Sequence, residues 1–187
     1  MRKDLAWAAV TWPGLEYVIG RSDDAGFHAD GRLVMVETGP AHVSYQLECD
    51  PAWRFRELTI AVTDASGERT LVLTAADGRW RADDADRLDL AQCIDIDINC
   101  TPLTNTLPIR RLTWSPGAAF DLNVAYVSVP ELDVRPVRQR YTKLAAGLYR
   151  YESGSFRADL PVDEDGFVLD YPGIWARAGE NPGSVPG

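Results

Sequence analysis

Lysine is scarce in this sequence. Of its 19 basic residues only Lys3 and Lys143 are lysines, and the others are arginines. All of them together fall short of the 28 aspartates and glutamates, which leaves a formal net charge of −9. A chain this acidic lacks the basic footprint of a nucleic-acid binder, and an anionic membrane surface repels it. Cysteine is also sparse. Cys49, Cys93 and Cys100 form no CxxC pair and no even, dense framework, so neither a disulfide scaffold nor a zinc knuckle is expected. Long apolar runs are missing. Met1-Arg2-Lys3 followed by Leu5 to Val10 imitates the start of a secretory signal, but Asp4 interrupts it and Trp12-Pro13-Gly14 ends it. Nothing approaches the roughly 18 apolar residues of a membrane span. These absences predict a reduced, cytoplasmic protein with no integral membrane association.

The usual catalytic signatures are absent too: no GxGxxG, no GxxxxGK[ST], no GxSxG. The two histidines, His28 and His42, have no ligand-spaced partners, so a histidine metal site is not expected. Both read as turn residues, and a Ser-His-Asp triad has no local support. Asp163-Glu164-Asp165-Gly166 lacks the remaining ligands of a calcium loop and reads as a turn. No cofactor and no metal is expected.

What the sequence does have is a period of two. Val43, Tyr45, Leu47 and Cys49 alternate with polar residues, as do Leu58, Ile60 and Val62, and then Leu71 and Leu73. This is the pattern of half-buried antiparallel strands. Asp30-Gly31, Asp77-Gly78 and Asp165-Gly166 sit between such runs and predict tight turns; Ser66-Gly67 and Ser115-Pro116-Gly117 predict two more. Only Asp83 to Ala91 and the stretch near Thr101 to Leu107 leave room for short helical turns. The 187 residues therefore predict an all-β protein of at least ten strands, in one highly curved antiparallel sheet that forms an open barrel or roll. Residues 1–177 read as one domain and 178–187, rich in Gly and Pro, as a loose tail.

The unusual segment is Cys93 to Leu112. Asp95, Asp97 and Asn99 share one strand face, with Ile94, Ile96 and Ile98 on the other. Same-face neighbours stand about 6.5–7 Å apart, a spacing at which two carboxylates can flank a scissile bond, bind arginines, accept sugar hydroxyls, or simply face solvent. Thr101 to Pro108 follows, with three threonines and Asn105 as a supply of hydroxyl and amide groups, and then Arg110-Arg111. Arginines recur at period two beside aromatics. Arg54 and Arg56 alternate with Trp53 and Phe55, and Arg138 and Arg140 with Gln139 and Tyr141. Such faces either snorkel at the surface or turn inward to meet Asp95 and Asp97 in bidentate pairs. A GC-rich genome would account for the number of arginines but not for this placement. Aromatics cluster at Tyr149-Arg150-Tyr151 and at Tyr171 to Trp175, as core or as a ligand wall.

These motifs carry a resemblance. Cys93-Ile94-Asp95-Ile96-Asp97, the run Thr101-Pro102-Leu103-Thr104-Asn105-Thr106-Leu107-Pro108-Ile109-Arg110-Arg111-Leu112, Arg138-Gln139-Arg140-Tyr141 and Tyr149-Arg150-Tyr151-Glu152 resemble the bacterial glycolipid-binding family. So do Cys49 to Arg56, the closing Asp163, Asp165-Gly166, Asp170-Tyr171-Pro172-Gly173 and Arg177, with Leu103 where the family more often has Phe. The resemblance implies a spiral β-roll, similar in fold to bacterial lipoprotein carriers, and a small amphiphile, such as a glycolipid, as ligand. Under it Arg54, Arg56, Asp95, Asp97, Asn105, Arg110, Arg138 and Arg140 are expected to form a polar network, lined by Trp53, Tyr141, Tyr149 and Tyr151. The alternatives are an enzyme, a hydrolase or lyase using Asp95 or Asp97 as general base, and a scaffold whose polar network only supports the fold.

Overall fold

The computed structural model describes residues 1–36 and 39–179. Eight strands follow one another as an antiparallel meander: β1 (Arg2–Ala9), β2 (Gly14–Asp23), β3 (Gly26–Met35), β4 (Ala41–Cys49), β5 (Phe55–Asp64), β6 (Gly67–Ala76), β7 (Arg79–Ala82) and β8 (Ala85–Asp86). Five more, β9 (Asp95–Ile98), β10 (Ala119–Ser128), β11 (Asp133–Ala145), β12 (Leu148–Ser153) and β13 (Phe156–Pro161), build a second sheet. The chain then returns to the first sheet, where β14 (Asp170–Tyr171) and β15 (Trp175–Ala178) add to the edge of β1. The protein is thus all-β and highly curled without closing into a barrel. The small sheet stands beside the expected large one, and its β9–β10 pair is parallel. Helix is confined to two 3₁₀ turns, at Leu88–Leu90 and Leu103–Asn105, and to α1 (Thr106–Arg111). Among the described residues no helix is long and apolar enough to cross a membrane.

Alternation places the core. Val43, Tyr45 and Leu47 of β4 and Leu58, Ile60 and Val62 of β5 are buried, and the residues between them face outward. Burying each aliphatic side chain contributes about 1.5–3 kcal/mol. The main core also takes Ile96 and Ile98 of β9, Ala125 and Val127 of β10, and Leu103 and Leu107. One face of the small sheet therefore closes the concave side of the large one. The opposite face of the small sheet carries a second cluster, built on Tyr141, Tyr149, Tyr151, Leu160 and Ile109.

The turns at Asp77-Gly78 and Asp165-Gly166 form as expected, but Asp30-Gly31 does not turn. Both residues lie in the middle of β3, and the hairpin from β2 closes earlier, where the Ala25 amide donates to Asp23 Oδ1 at 2.8 Å. Gly31 is there for room. A Cβ on it would stand 2.0 Å from Cζ of Tyr45, its cross-strand partner, so only glycine lets that ring lie over the backbone. His28 and His42 are accordingly strand residues, not turn residues. The C-terminal strand also runs one residue past the expected limit, with Ala178 paired to Ala6. The rest of the expected tail, from 180 onward, lies outside the described residues.

Candidate functional site

The segment from β9 to α1 lays its polar groups on the second face of the small sheet. Asp95 and Asp97 both point there, opposite Ile96 and Ile98, as the period of two requires. Asp95 is fully buried and clasped by Arg111, which donates from Nε at 3.0 Å and from Nη2 at 2.5 Å. Burial pushes the Asp95 carboxyl above the ordinary carboxylate range, against the pull of that guanidinium. Arg111 reaches it because it ends α1 rather than opening the next strand.

Asp97 has no cation within ion-pair distance among the described residues. Its Oδ1 accepts from Thr104 Oγ1 at 3.0 Å, and its Oδ2 accepts from Gln139 Nε2 at 2.6 Å and from the Tyr151 hydroxyl at 3.4 Å. Burial outweighs these donors and raises its pKa. Asp97 borders a cleft of about 250 Å³, together with Asn105, Tyr126, Tyr151, Phe156 and Tyr171. The rings touch one another. Tyr151 lies 6.2 Å from Tyr171 and 6.0 Å from Phe156, edge-on or tilted. Behind the cleft, Tyr141 donates its hydroxyl to Asn105 Oδ1 at 2.8 Å and so orients the amide.

A second buried carboxylate lies nearby. Glu16 of β2 is fully buried, accepting at 2.7 Å from the Tyr45 hydroxyl and at 2.8 Å from Thr101 Oγ1. Desolvation, only partly offset by these bonds, pushes its pKa up to about 7. Thr101 also borders the cleft, so the Glu16 network forms part of the cleft's inner wall.

The structure brings together some of the expected site residues and separates the others. Asp97, Asn105 and Tyr151 share the cleft, with Tyr141 behind it. Arg138 and Arg140 do not join them, and the expectation of an arginine-lined network is corrected here. Both arginines are exposed, and each places a guanidinium nitrogen 3.2 Å from Asp121. The reason is parity. Asp97 pairs with Tyr126, and Tyr126 with Arg135, so the face of Asp97 carries Arg135, Gln139 and Tyr141 and excludes Arg138 and Arg140. Arg54 and Arg56 border a separate cleft of about 340 Å³ beside Phe55 and Trp80, with Arg56 held by Asp50 at 2.7 Å. Arg110 is exposed and lies over the ring of Trp53 at 5.0 Å, which is itself buried and stacked on Phe27. Tyr149 packs on Trp114. Sequence reasoning missed Glu16, Thr101, Thr104, Arg111, Gln139, Tyr126 and Phe156. Of these only Thr101, Thr104 and Arg111 carried a signal, through the polar run they belong to.

Burial raises the pKa of all three cysteine thiols, Cys93 to about 11. Among the described residues no three His, Cys, Asp or Glu side chains gather in a metal-binding group.

Comparison with known proteins agrees with this architecture. Residues 4–177 match the model of the family described as "Putative glycolipid-binding". A crystal structure of a DUF1089 family protein from Pseudomonas aeruginosa is 38% identical, with a TM-score of 0.79, over 87% of this chain and 91% of that one. No curated protein matches the chain.

Proposed function

This chain belongs to the putative glycolipid-binding family, and from that premise we propose that it holds the head of a small amphiphile in the cleft beside Asp97, with no chemical step. One observation carries the reading: the cleft combines aromatic rings with fixed hydrogen-bond acceptors. Tyr151, Phe156 and Tyr171 offer faces and edges to the apolar side of a sugar ring. Asp97 and Asn105 sit where hydroxyl groups donate, and Val137 and Ile174 supply an apolar floor. At about 250 Å³ the space is near the lower end for small-ligand pockets, which suits a head group better than a whole lipid. Residues 1–177 act as one unit in this reading, because the C-terminal strands deliver Tyr171 to a cleft that β9 begins.

Calorimetry with octyl glucoside, set against an octyl amphiphile without a sugar, tests the proposal. The glycoside is expected to bind and the sugarless control to bind at least several-fold more weakly. Phe156→Ala removes a ring that is 42% exposed, so it should weaken glycoside binding while leaving the melting temperature within about 2 °C. No binding of the glycoside, or equal binding of the control, overturns the reading.

A second reading rests on Asp97 itself. A carboxyl held above its ordinary range beside an open cleft has the setting of a general acid or base, and a hydrolase or lyase would use it so.

A further inference from the structure

The small sheet places three unlike side chains in one row across three strands. Asp97 of β9 pairs with Tyr126 of β10, which pairs with Arg135 of β11. Strands are about 4.8 Å apart, so the two charged residues start roughly 10 Å from each other with the tyrosine between them. All three border the cleft. The Arg135 guanidinium lies 5.1 Å from the centre of the Tyr126 ring, which fixes the cation in place without neutralising it.

The environment of Arg135 differs from that of its neighbours. Arg111 is bound by Asp95, and Arg138 and Arg140, on the same strand as Arg135, share Asp121. Arg135 has no carboxylate within ion-pair distance among the described residues. Its position explains its openness. The register between β11 and β12 covers Arg140 to Ala145 and ends at Glu152, whereas β10 pairs with β11 as far as Asp133. The first half of β11 thus projects past the β12–β13 hairpin, and the cleft opens beyond that hairpin's end, where Ser153 and Phe156 form its border. In a chain of net charge −9, a stacked cation without an acid partner is left facing the space that Asp97 faces from the other end.

We infer that the cleft selects a ligand head carrying an acidic group, a carboxylate, sulfate or phosphate, which Arg135 binds while Asp97 and Asn105 accept from the hydroxyls. This rests on the binding reading above and deepens it. A planar guanidinium held on a ring offers two parallel N–H groups to such an oxyanion. A neutral sugar leaves that cation without its counter-charge.

The test compares octyl glucoside with octyl glucuronide, in which a carboxylate replaces the C6 hydroxymethyl group, and adds free glucuronic acid. Wild type should bind the glucuronide about tenfold more tightly than the glucoside at low salt, with the preference shrinking as ionic strength rises. Arg135→Gln, an exposed and fold-neutral change, should abolish the preference and leave the affinity for the glucoside unchanged. Arg135→Lys, which keeps the charge and loses the fork, should recover part of it. If free glucuronic acid binds as tightly as its octyl form, the acidic head alone is the ligand; if it binds more weakly, an acidic amphiphile is. Equal affinity of wild type for glucoside and glucuronide, or equal loss of both in Arg135→Gln, overturns the inference while cleft binding stands. If neither octyl compound binds, both the inference and the reading beneath it fall.

Discussion

Arg111 and Asp95 form a closed pair. Two hydrogen bonds of 3.0 and 2.5 Å join them, the carboxylate is fully buried, and the arginine side chain is 11% exposed. The bond ties the C-terminal end of a six-residue helix to the first residue of β9. A helix that short has little stability of its own, so this clasp and the burial of Leu107 and Ile109 fix its position. The helix in turn sets where Thr104 and Asn105 meet the cleft.

Breaking the pair should therefore be costly. Arg111→Ala leaves Asp95 buried without its counter-charge, an expected loss of about 3–5 kcal/mol in urea unfolding at pH 7. The double variant Asp95→Leu with Arg111→Met removes both charges and should regain most of that loss. A single variant within about 0.5 kcal/mol of wild type would show that the clasp is not what holds the helix.

Glu16 should give the stability a pH dependence of unusual sign for a carboxylate. Its folded pKa of about 7 lies above the ordinary value of 4.5, so the folded state binds the extra proton. The Glu16 contribution is complete below pH 4.5, declines as the pH rises from there to about 7, and is lost above that. The linked change is about 3 kcal/mol. Glu16→Gln keeps a neutral group among Tyr45 and Thr101, so its unfolding free energy should exceed that of wild type at pH 8 and converge with it near pH 4.5. Parallel pH profiles for the two proteins would mean that Glu16 does not titrate in this range.

Asp97 separates the binding, enzyme and scaffold readings. Its two oxygens face three donors, from Thr104, Gln139 and Tyr151. In Asp97→Asn an amide N–H must face one of them, at a cost of about 1–3 kcal/mol. Below the melting transition the variant should still fold and should bind octyl glucoside more weakly. If wild type cleaves nitrophenyl glycosides and the folded variant does not, Asp97 is catalytic. If the variant loses stability but keeps full glycoside affinity, its network serves only the fold.

The strands were legible because burial on one face writes itself into alternation. Val43 to Cys49 and Leu58 to Val62 announced β4 and β5, and Asp95, Ile96 and Asp97 announced β9 with its two faces. The Asp30-Gly31 pair misled because glycine serves two purposes, a turn or a close approach, and the ring that needs the space is fourteen residues further along the chain. The arginines misled through phase. Arg138 and Arg140 are separated from the inward face by one residue, and only the pairing of β9, β10 and β11 decides which phase turns in. Glu16 was invisible because a lone acid between Leu15 and Tyr17 reads as surface, although those two apolar residues are the exposed ones, at 53% and 43%.

Local chemistry alone, through period, turn residues and charge, determined an all-β chain of the family it resembles, with its polar chemistry concentrated between Cys93 and Leu112. It could not determine which arginine faces which acid, since every ion pair across strands depends on register, and register is a property of partners distant in sequence. The tertiary structure made that choice. It gave Asp95 to Arg111, turned Arg138 and Arg140 outward to Asp121, and left Arg135 on Tyr126 at the cleft without an acid partner among the described residues.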